Sequence, residues 1–420
     1  MLSLTDLLKY SNKINIVGNK IATAGSLGPK TRSDCELSIE LTNSGGIEID
    51  LKSKVDVMFG KSNRKLIADV LKHFEIENAK VVMTDKGALP FVIAARLEAA
   101  IKNLIDTDKE YLLDVIDANK DQSDKGQFRF SRLYLPGNSP SMMLNAGVHN
   151  PNGIILDLED AVAPNKKHEA RFMVRNALRS TNFYGAERMV RINQGQLGLE
   201  DLHFVVAHNV NLLLLPKCES ADEIQKIDAE IETIRKDKGF DYPIWYMPII
   251  ESALGIERAF EIATASPNVC SLAIGLEDFT ADLGVRRTNE ATESLYARTR
   301  MVNACKAAGI QPIDSVFSDV SDMEALAINV QTSKSLGFEG MGCIHPRQIP
   351  VIMQNFAPES AEIEKAQKIV RAFEEAKAKG LGVVSLGTKM IDAPVVKRAE
   401  TTINLAVKLG MIDEAWLLDV

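Results

Sequence analysis

The stretch Ile244–Gly284, IWYMPIIESALGIERAFEIATASPNVCSLAIGLEDFTADLG, decides the fold. Its first apolar run ends in Glu251, an amphipathic segment follows, and a second apolar run ends in the acidic pair Glu277-Asp278. A parallel strand buried on both faces is a near-continuous hydrophobic run, so the pattern predicts strand, helix, strand, with carboxylates at the ends of two successive strands. In β/α barrels the loops at the carboxyl ends of the strands carry the chemistry. Acids placed there supply the oxygen donors that a hard divalent cation takes from a protein.

Outward from this stretch the unit repeats. Eight short apolar runs follow Ser131: RLYLP from Arg132, GIILDLED from Gly153, RMVRIN from Arg188, NLLLLPK from Asn211, the two runs already quoted, QPIDSVF from Gln311 and FEGMGCIHP from Phe338. Helical patterns such as ADEIQKIDAEIETIRK lie between them, several opened by capping residues such as Ser220 and Ser321. An open doubly wound sheet uses the same local units, but the count of eight favours a (β/α)₈ TIM barrel. We place the barrel at residues 131–355 and a C-terminal helical extension at 356–420, an α/β fold preceded by a small α+β domain. Polar residues recur where the runs end: Asn138, Asp157, Glu159, Asp160, Arg191, Asn193, Lys217, Glu251, Glu277, Asp278, Asp314 and His345. A buried strand has no structural need of a terminal charge, so their recurrence predicts one shared pocket. Taken singly, Asp160 or Asp314 reads equally well as a helix cap or a solvated turn acid.

The small domain is assigned to residues 1–110. After a short helical lead, strands are expected over Lys13–Ala22, Cys35–Leu41, Gly46–Leu51 and the run AKVVMTD, with helices near Val57–Phe74 and Leu89–Leu104. Residues 111–130 belong to a connector, Asp106–Phe130, rich in Asp, Lys, Asn and Gln and without sustained periodicity. If flexible, about 25 residues would span roughly 25–30 Å and let the domain swing.

Composition narrows the function. The 420 residues are 45% hydrophobic and carry net charge −8, and the 49 Lys and Arg form no long basic run, which speaks against a nucleic-acid partner. No apolar stretch reaches membrane-spanning length and no signal-peptide pattern opens the chain, so a cytoplasmic protein with no membrane partner is expected. The five scattered cysteines include no Cys-x-x-Cys pair and are expected to be reduced and packed.

Beyond these readings, RLYLPGNSPSM, ILDLEDAV, VRIN, LPK, IIESALGI, ASPNVCSLAIGLEDFTADLG, HPRQI and GLGVVSLGTKMIDAPVV resemble the citrate lyase β subunit and its relatives, the malyl-CoA and citramalyl-CoA lyases. In the small domain AGSL, GGIEIDL, FG, DKGAL and AARLEAA resemble the citrate lyase γ subunit, an acyl carrier protein. The resemblance implies a Mg²⁺-dependent lyase, a homo-oligomer (trimer or multiple) and an α-type transferase subunit as a further partner. It implies Glu251 and Asp278 as metal ligands. Arg191 would be catalytic with Glu159 beside it, although an arginine paired with Glu159 for packing fits the same residues. Arg132, Gly275 and Glu277 are implied at the substrate, Arg132 near its carboxylate; at a strand start Arg132 could equally be a surface cation. Asp392, by sequence alone a helix N-cap, would be a catalytic acid lent by a neighbouring subunit. Ser33 is the candidate attachment point of a CoA-like prosthetic group. There the chain departs from the carrier pattern, because Gly28–Asp34 holds an insertion that puts Arg32 two residues before Asp34. His345-Pro346-Arg347-Gln348 and Glu277-Asp278 are closer to the free-CoA branch. His345, the one strand-end histidine, is open between a base and a hydrogen-bonded floor residue; His73, His149, His168, His203 and His208 are expected to be solvated.

The expected activity is cleavage of a citryl thioester, on CoA or a carrier, to oxaloacetate and an acetyl thioester. A citramalyl-CoA or malyl-CoA lyase would need the same residues, and a non-catalytic structural or regulatory subunit is the rival of another class.

Overall fold

Eight strands, β5 (Ser131–Pro136), β6 (Gly153–Asp157), β7 (Glu187–Arg191), β8 (Leu212–Leu215), β9 (Trp245–Ile250), β10 (Ser271–Ile274), β11 (Gln311–Ile313) and β12 (Met341–Cys343), pair in parallel in the order β11-β10-β9-β8-β7-β6-β5-β12. These elements belong to a computed structural model, which describes residues 21–378, 380, 384–386 and 389–417. Asp314 N donates to the Gly340 carbonyl at 2.8 Å and Asp314 bridges Met341, which joins the last strands and closes the barrel. The open-sheet alternative is thereby excluded. Each strand is short and apolar because both of its faces are covered. Ile155, Met189, Leu212, Leu214, Met247, Ile249, Cys270, Ala273 and Ile313 fill the interior, and the other face packs under the helices. One boundary moves: β10 ends at Ile274, so Glu277 and Asp278 lie in the first turn of the helix Leu276–Asp282 rather than on the strand.

Before the barrel, β1 (Ile21–Ala24), β2 (Cys35–Leu41), β3 (Ile47–Ser53) and β4 (Ala79–Asp85) form a sheet in the order β1-β2-β4-β3, with β3 and β4 parallel. The helical lead and the Lys13–Lys20 part of the first expected strand lie outside the described residues. Two helices, Asp56–His73 and Pro90–Lys102, complete this domain. The second is buried along nearly its whole length, between β1 and β2 on one side and the barrel helix Lys167–Ser180 on the other.

That double burial explains why two of the charges in VIAARLEAAIK, Arg96 and Glu98, are buried on an otherwise apolar helix. Arg96 donates to both Asp34 oxygens, at 3.2 and 2.9 Å, to Glu169 Oε2 of the barrel at 2.9 Å, and to the Asn138 carbonyl at 3.2 Å. Glu98 receives both outer nitrogens of Arg175 from the barrel helix, and both side chains are fully buried. Gly25 N donates to Glu169 Oε2 at 2.8 Å and Lys166 Nζ to the Gly25 carbonyl at 3.0 Å. The small domain is therefore fastened to the barrel. The connector does not act as a flexible tether either. It is laid along the wall by Asn119 Nδ2 to the Leu178 and Thr181 carbonyls (2.9 and 2.7 Å), Arg188 to the Asp121 carbonyl (2.6 Å) and Trp245 Nε1 to the Ser123 carbonyl (2.8 Å). Near its end Arg129 is fully buried against Glu187.

His208 departs from the expected solvated state: it is buried, and Arg179 Nη1 lies 3.0 Å from its Nδ1, which must accept. Burial, then Arg175 and Arg179, push its pKa down to about 3. The unfolded chain takes up this proton near pH 6.5 and the folded chain does not. Stability should thus fall as pH drops below about 6.5, by about 1.4 kcal/mol per unit. Urea midpoints between pH 7.5 and 5 should decline more steeply for the native sequence than for His208→Asn; equal slopes would contradict the assignment. His168 is likewise half-buried rather than solvated.

After the barrel, the helices Ser360–Ala378 and Ala393–Lys408 pack through Ala366, Val370, Val396, Ala399 and Ile403, with the hairpin β13 (Val384–Leu386) and β14 (Lys389–Ile391) between them in sequence. Among the described residues no helix is long and apolar enough to cross a membrane. All five cysteines are buried and unpaired.

Candidate active site at the barrel mouth

A cavity of about 380 Å³ opens at the carboxyl ends of the strands, with Tyr134, Asp157, Arg191, Glu251, Gly275 and Asp278 in its wall. Glu251 follows β9 directly and is buried. Its Oε1 accepts from Lys217 N at 2.8 Å, the left-handed backbone at Lys217 (φ +49°) turning that N–H inward. Burial, with Asp278 and Glu159 nearby, pushes the Glu251 pKa up to about 8. Gly275 has a steric reason to be glycine, since a Cβ there would stand 2.3 Å from Glu251 Oε2. Asp278 is half-buried, and Lys217 Nζ lies 3.6 Å from its Oδ1.

Arg191 ends β7 and stands in register opposite Asp157, the last residue of β6. Its Nε and Nη2 donate to the two Asp157 oxygens at 2.7 and 2.6 Å, and its guanidinium lies 5.4 Å over the Tyr134 ring. Glu159 Oε2 sits 2.9 Å from Arg191 Nη1 as an ion pair, without a hydrogen-bond donor of its own, while Gln194 Nε2 holds Oε1 at 2.7 Å. Asp157 was legible only as a strand terminus, yet it is the stronger partner. Besides clamping Arg191 it accepts from Glu159 N and Ala161 N at 2.9 and 3.1 Å, so one carboxylate fixes both the cation and the mouth loop. The register Asp157 opposite Arg191 is the signal that aligned strand ends could have supplied. Asp157→Asn should keep the fold and lower kcat on the order of 100-fold by loosening Arg191, with KM changing far less. An unchanged kcat in steady-state assays would dismiss this positioning role.

The other expected residues make contacts of their own. Glu277 lines the rim, but its exposed carboxylate pairs with Arg287 at 2.7 Å. Asp314 is committed to Arg298 and Ser333. His345 Nδ1 accepts from Arg347 N at 3.1 Å within its own turn. Asp392 lies away from this cavity and caps the helix Ala393–Lys408, accepting from Val395 N at 3.3 Å. Ser33 is half-buried in a left-handed turn (φ +56°) beside Asp34, which Arg96 holds, and not in the cavity.

Could this mouth hold a divalent cation? Glu251, Asp278, Glu159, Asp157 and Asp160 face Arg191 and Lys217, an excess of negative charge, and Glu251 Oε2 takes no hydrogen bond from the described residues. The described residues contain no cluster of three or more His, Cys, Asp or Glu arranged as a complete cage. Two carboxylates with open positions are what Mg²⁺ uses when waters and substrate oxygens complete its six ligands. The donor set fits.

A closed β/α barrel with paired acids and a clamped arginine at the carboxyl ends of its strands has the layout in which barrel enzymes carry their chemistry. The sequence model of the HpcH/HpaI aldolase/citrate lyase family matches residues 131–346. The chain is 39% identical over 291 residues to the citrate lyase subunit beta of Haemophilus influenzae, covering 69% of this chain and all of that one. It is 33% identical over 289 residues to the mitochondrial citramalyl-CoA lyase of Homo sapiens, covering 66% of this chain and 85% of the relative. The protein CitE of Mycobacterium tuberculosis, solved in complex with magnesium, acetoacetate and coenzyme A, superposes with a TM-score of 0.56 at 26% identity, over 67% of this chain and 99% of that one. The chain belongs to the HpcH/HpaI aldolase/citrate lyase family and is a lyase. Residues 19–104 separately match the acyl-carrier model described as malonate decarboxylase delta subunit.

Proposed function

We propose that this chain is a Mg²⁺-dependent lyase that cleaves a citryl thioester to oxaloacetate and an acetyl thioester. The observation that carries the reading is the buried Glu251 beside Asp278, facing a clamped Arg191 in a barrel of this family. Bound Mg²⁺ would supply Lewis acidity to the substrate's hydroxyl and carboxylate oxygens. Glu251 and Asp278 would hold it. The hydroxyl O–H gives up its proton to water at the open mouth, and the electron pair of that bond becomes the new C=O. The adjacent C–C bond breaks, and its pair passes to the acetyl thioester as an enolate, which takes up a proton to become the methyl group. No oxidant or co-reactant is needed. Arg191, held rigid by Asp157 and Glu159, offers a fixed cation to the oxygen on which charge grows. Asp392 of a second copy is the proposed proton donor to the enolate, which makes the working form a homo-oligomer, trimeric or a multiple of three, in the cytoplasm.

The thioester is proposed to be a free CoA ester. A domain fastened by Arg96, Glu98 and Arg175 suits a fixed wall beside the mouth better than a swinging carrier, so neither modification of Ser33 nor an α-type transferase partner is required. Full-length protein with Mg²⁺ should release oxaloacetate from citryl-CoA, read by coupled reduction to malate, while its intact mass shows no added group. Turnover only after a mass increase at Ser33 would restore the carrier reading.

A further inference from the structure

Arg132 sits inside the barrel with its charge unanswered. It points inward from β5, and the residues opposite it in register on both neighbouring strands are glycines, Gly153 on β6 and Gly342 on β12. Side chains there would collide, a Cβ at 153 with Met189 (2.4 Å) and one at 342 with Val316 and Tyr134 (2.6 and 3.0 Å). The Arg132 side chain thus runs between two bare strands through the apolar interior. The residue is 1% exposed. Among the described residues its Nη1 has only Met247 Sδ, at 2.8 Å, a weak acceptor, and its Nε has no hydrogen-bond partner. Among the described residues no carboxylate lies within ion-pair distance of it. Arg129, three residues earlier and equally buried, is by contrast met by Glu187 and by Gln311. A buried guanidinium without a counter-charge is strongly unfavourable. This one lines the same cavity as Glu251 and Asp278, below them among Ile249, Ala273 and Gly342.

We infer that Arg132 is the specificity-determining residue for the acyl group, receiving at the cavity floor the distal carboxylate of a dicarboxylic oxo-acid half. This inference rests on the lyase reading above. In citryl thioester that carboxylate is present and becomes the outer carboxylate of oxaloacetate; in citramalyl thioester a methyl group replaces the whole carboxymethyl arm and leaves the guanidinium bare. A site with a buried polar group discriminates strongly against the analogue that cannot pair with it, because the group is then left unsatisfied.

The test compares Arg132→Met, apolar and unbranched, with the native chain on citryl-CoA and citramalyl-CoA. The kcat/KM for citryl-CoA should fall about 100-fold or more and that for citramalyl-CoA far less, so that the ratio of the two shifts by at least roughly 30-fold. Calorimetry with Mg²⁺ present should show weakened oxaloacetate binding and little change for pyruvate. The unfolding midpoint should rise by a few degrees, since the substitution removes an unpaired buried charge. Equal losses on both esters with a lowered midpoint would mean a structural arginine and overturn the inference, as would an unaltered preference. Arg132→Lys, which keeps the charge, should retain part of the citryl preference and covers the case in which the methionine variant does not fold. If the native chain cleaves neither ester, the lyase reading fails, and oxaloacetate binding by native and Arg132→Met protein then judges Arg132 alone.

Discussion

Glu251→Gln is expected to abolish Mg²⁺-dependent cleavage, with kcat/KM lowered by about 10³-fold or more and Mg²⁺ binding lost in calorimetric titration. The substitution is close to isosteric, and the amide oxygen can still accept from Lys217 N, now 2.8 Å from Oε1. The local backbone therefore has no reason to change. What disappears is the charge that burial and the neighbouring Asp278 and Glu159 already disfavour. Without metal, the glutamine variant should be at least as stable as the native chain, because a buried carboxylate crowded by like charges is replaced by a neutral group. A loss of function with a gain of stability separates a ligand from a structural acid. Activity within tenfold of native would remove Glu251 from the site.

The second large effect is on stability. Glu98→Gln should cost about 3–5 kcal/mol, because it leaves Arg175 fully buried with only the more distant Glu110, at 3.2 Å, as a counter-charge. Replacing both partners by apolar residues, Glu98→Leu with Arg175→Met, should recover most of that loss, since a well-packed apolar pair can substitute for a buried ion pair. Urea unfolding of the two single variants and the double variant measures the coupling directly. A cost below about 1 kcal/mol for Glu98→Gln would mean that the small domain is not clamped through this pair. For the same reason a chain cut at Ser131 should fold poorly, as it bares the face of Lys167–Ser180 that the helix Pro90–Lys102 covers.

Part of this fold and site is legible in local sequence. Strand-end acids could be read because an apolar run that terminates in a charge is visible locally, as at Ile250-Glu251. β2 and β4 were readable to the residue because their alternation is confined to seven residues each. The clamp between the domains was not readable, because Glu98 and Arg175 are 77 positions apart and each looks like an ordinary helical charge. The connector misled for a related reason: its polar residues look solvated, yet Asn119 and the Asp121 and Ser123 carbonyls bond to barrel groups. Asp157 was overshadowed by Glu159 and Asp160, since only strand register sets it opposite Arg191. His208 carried no local sign of burial, its neighbour Arg179 being 29 positions away.

The proposed lyase chemistry stands most directly on the position of the metal. Crystals of the full-length protein grown with Mg²⁺ and oxaloacetate should show the ion bound by one carboxylate oxygen from Glu251 and one from Asp278, each at about 2.0–2.1 Å, with oxaloacetate and water completing an octahedron. An ion bound elsewhere, with both carboxylates unliganded beside bound oxaloacetate, would contradict it.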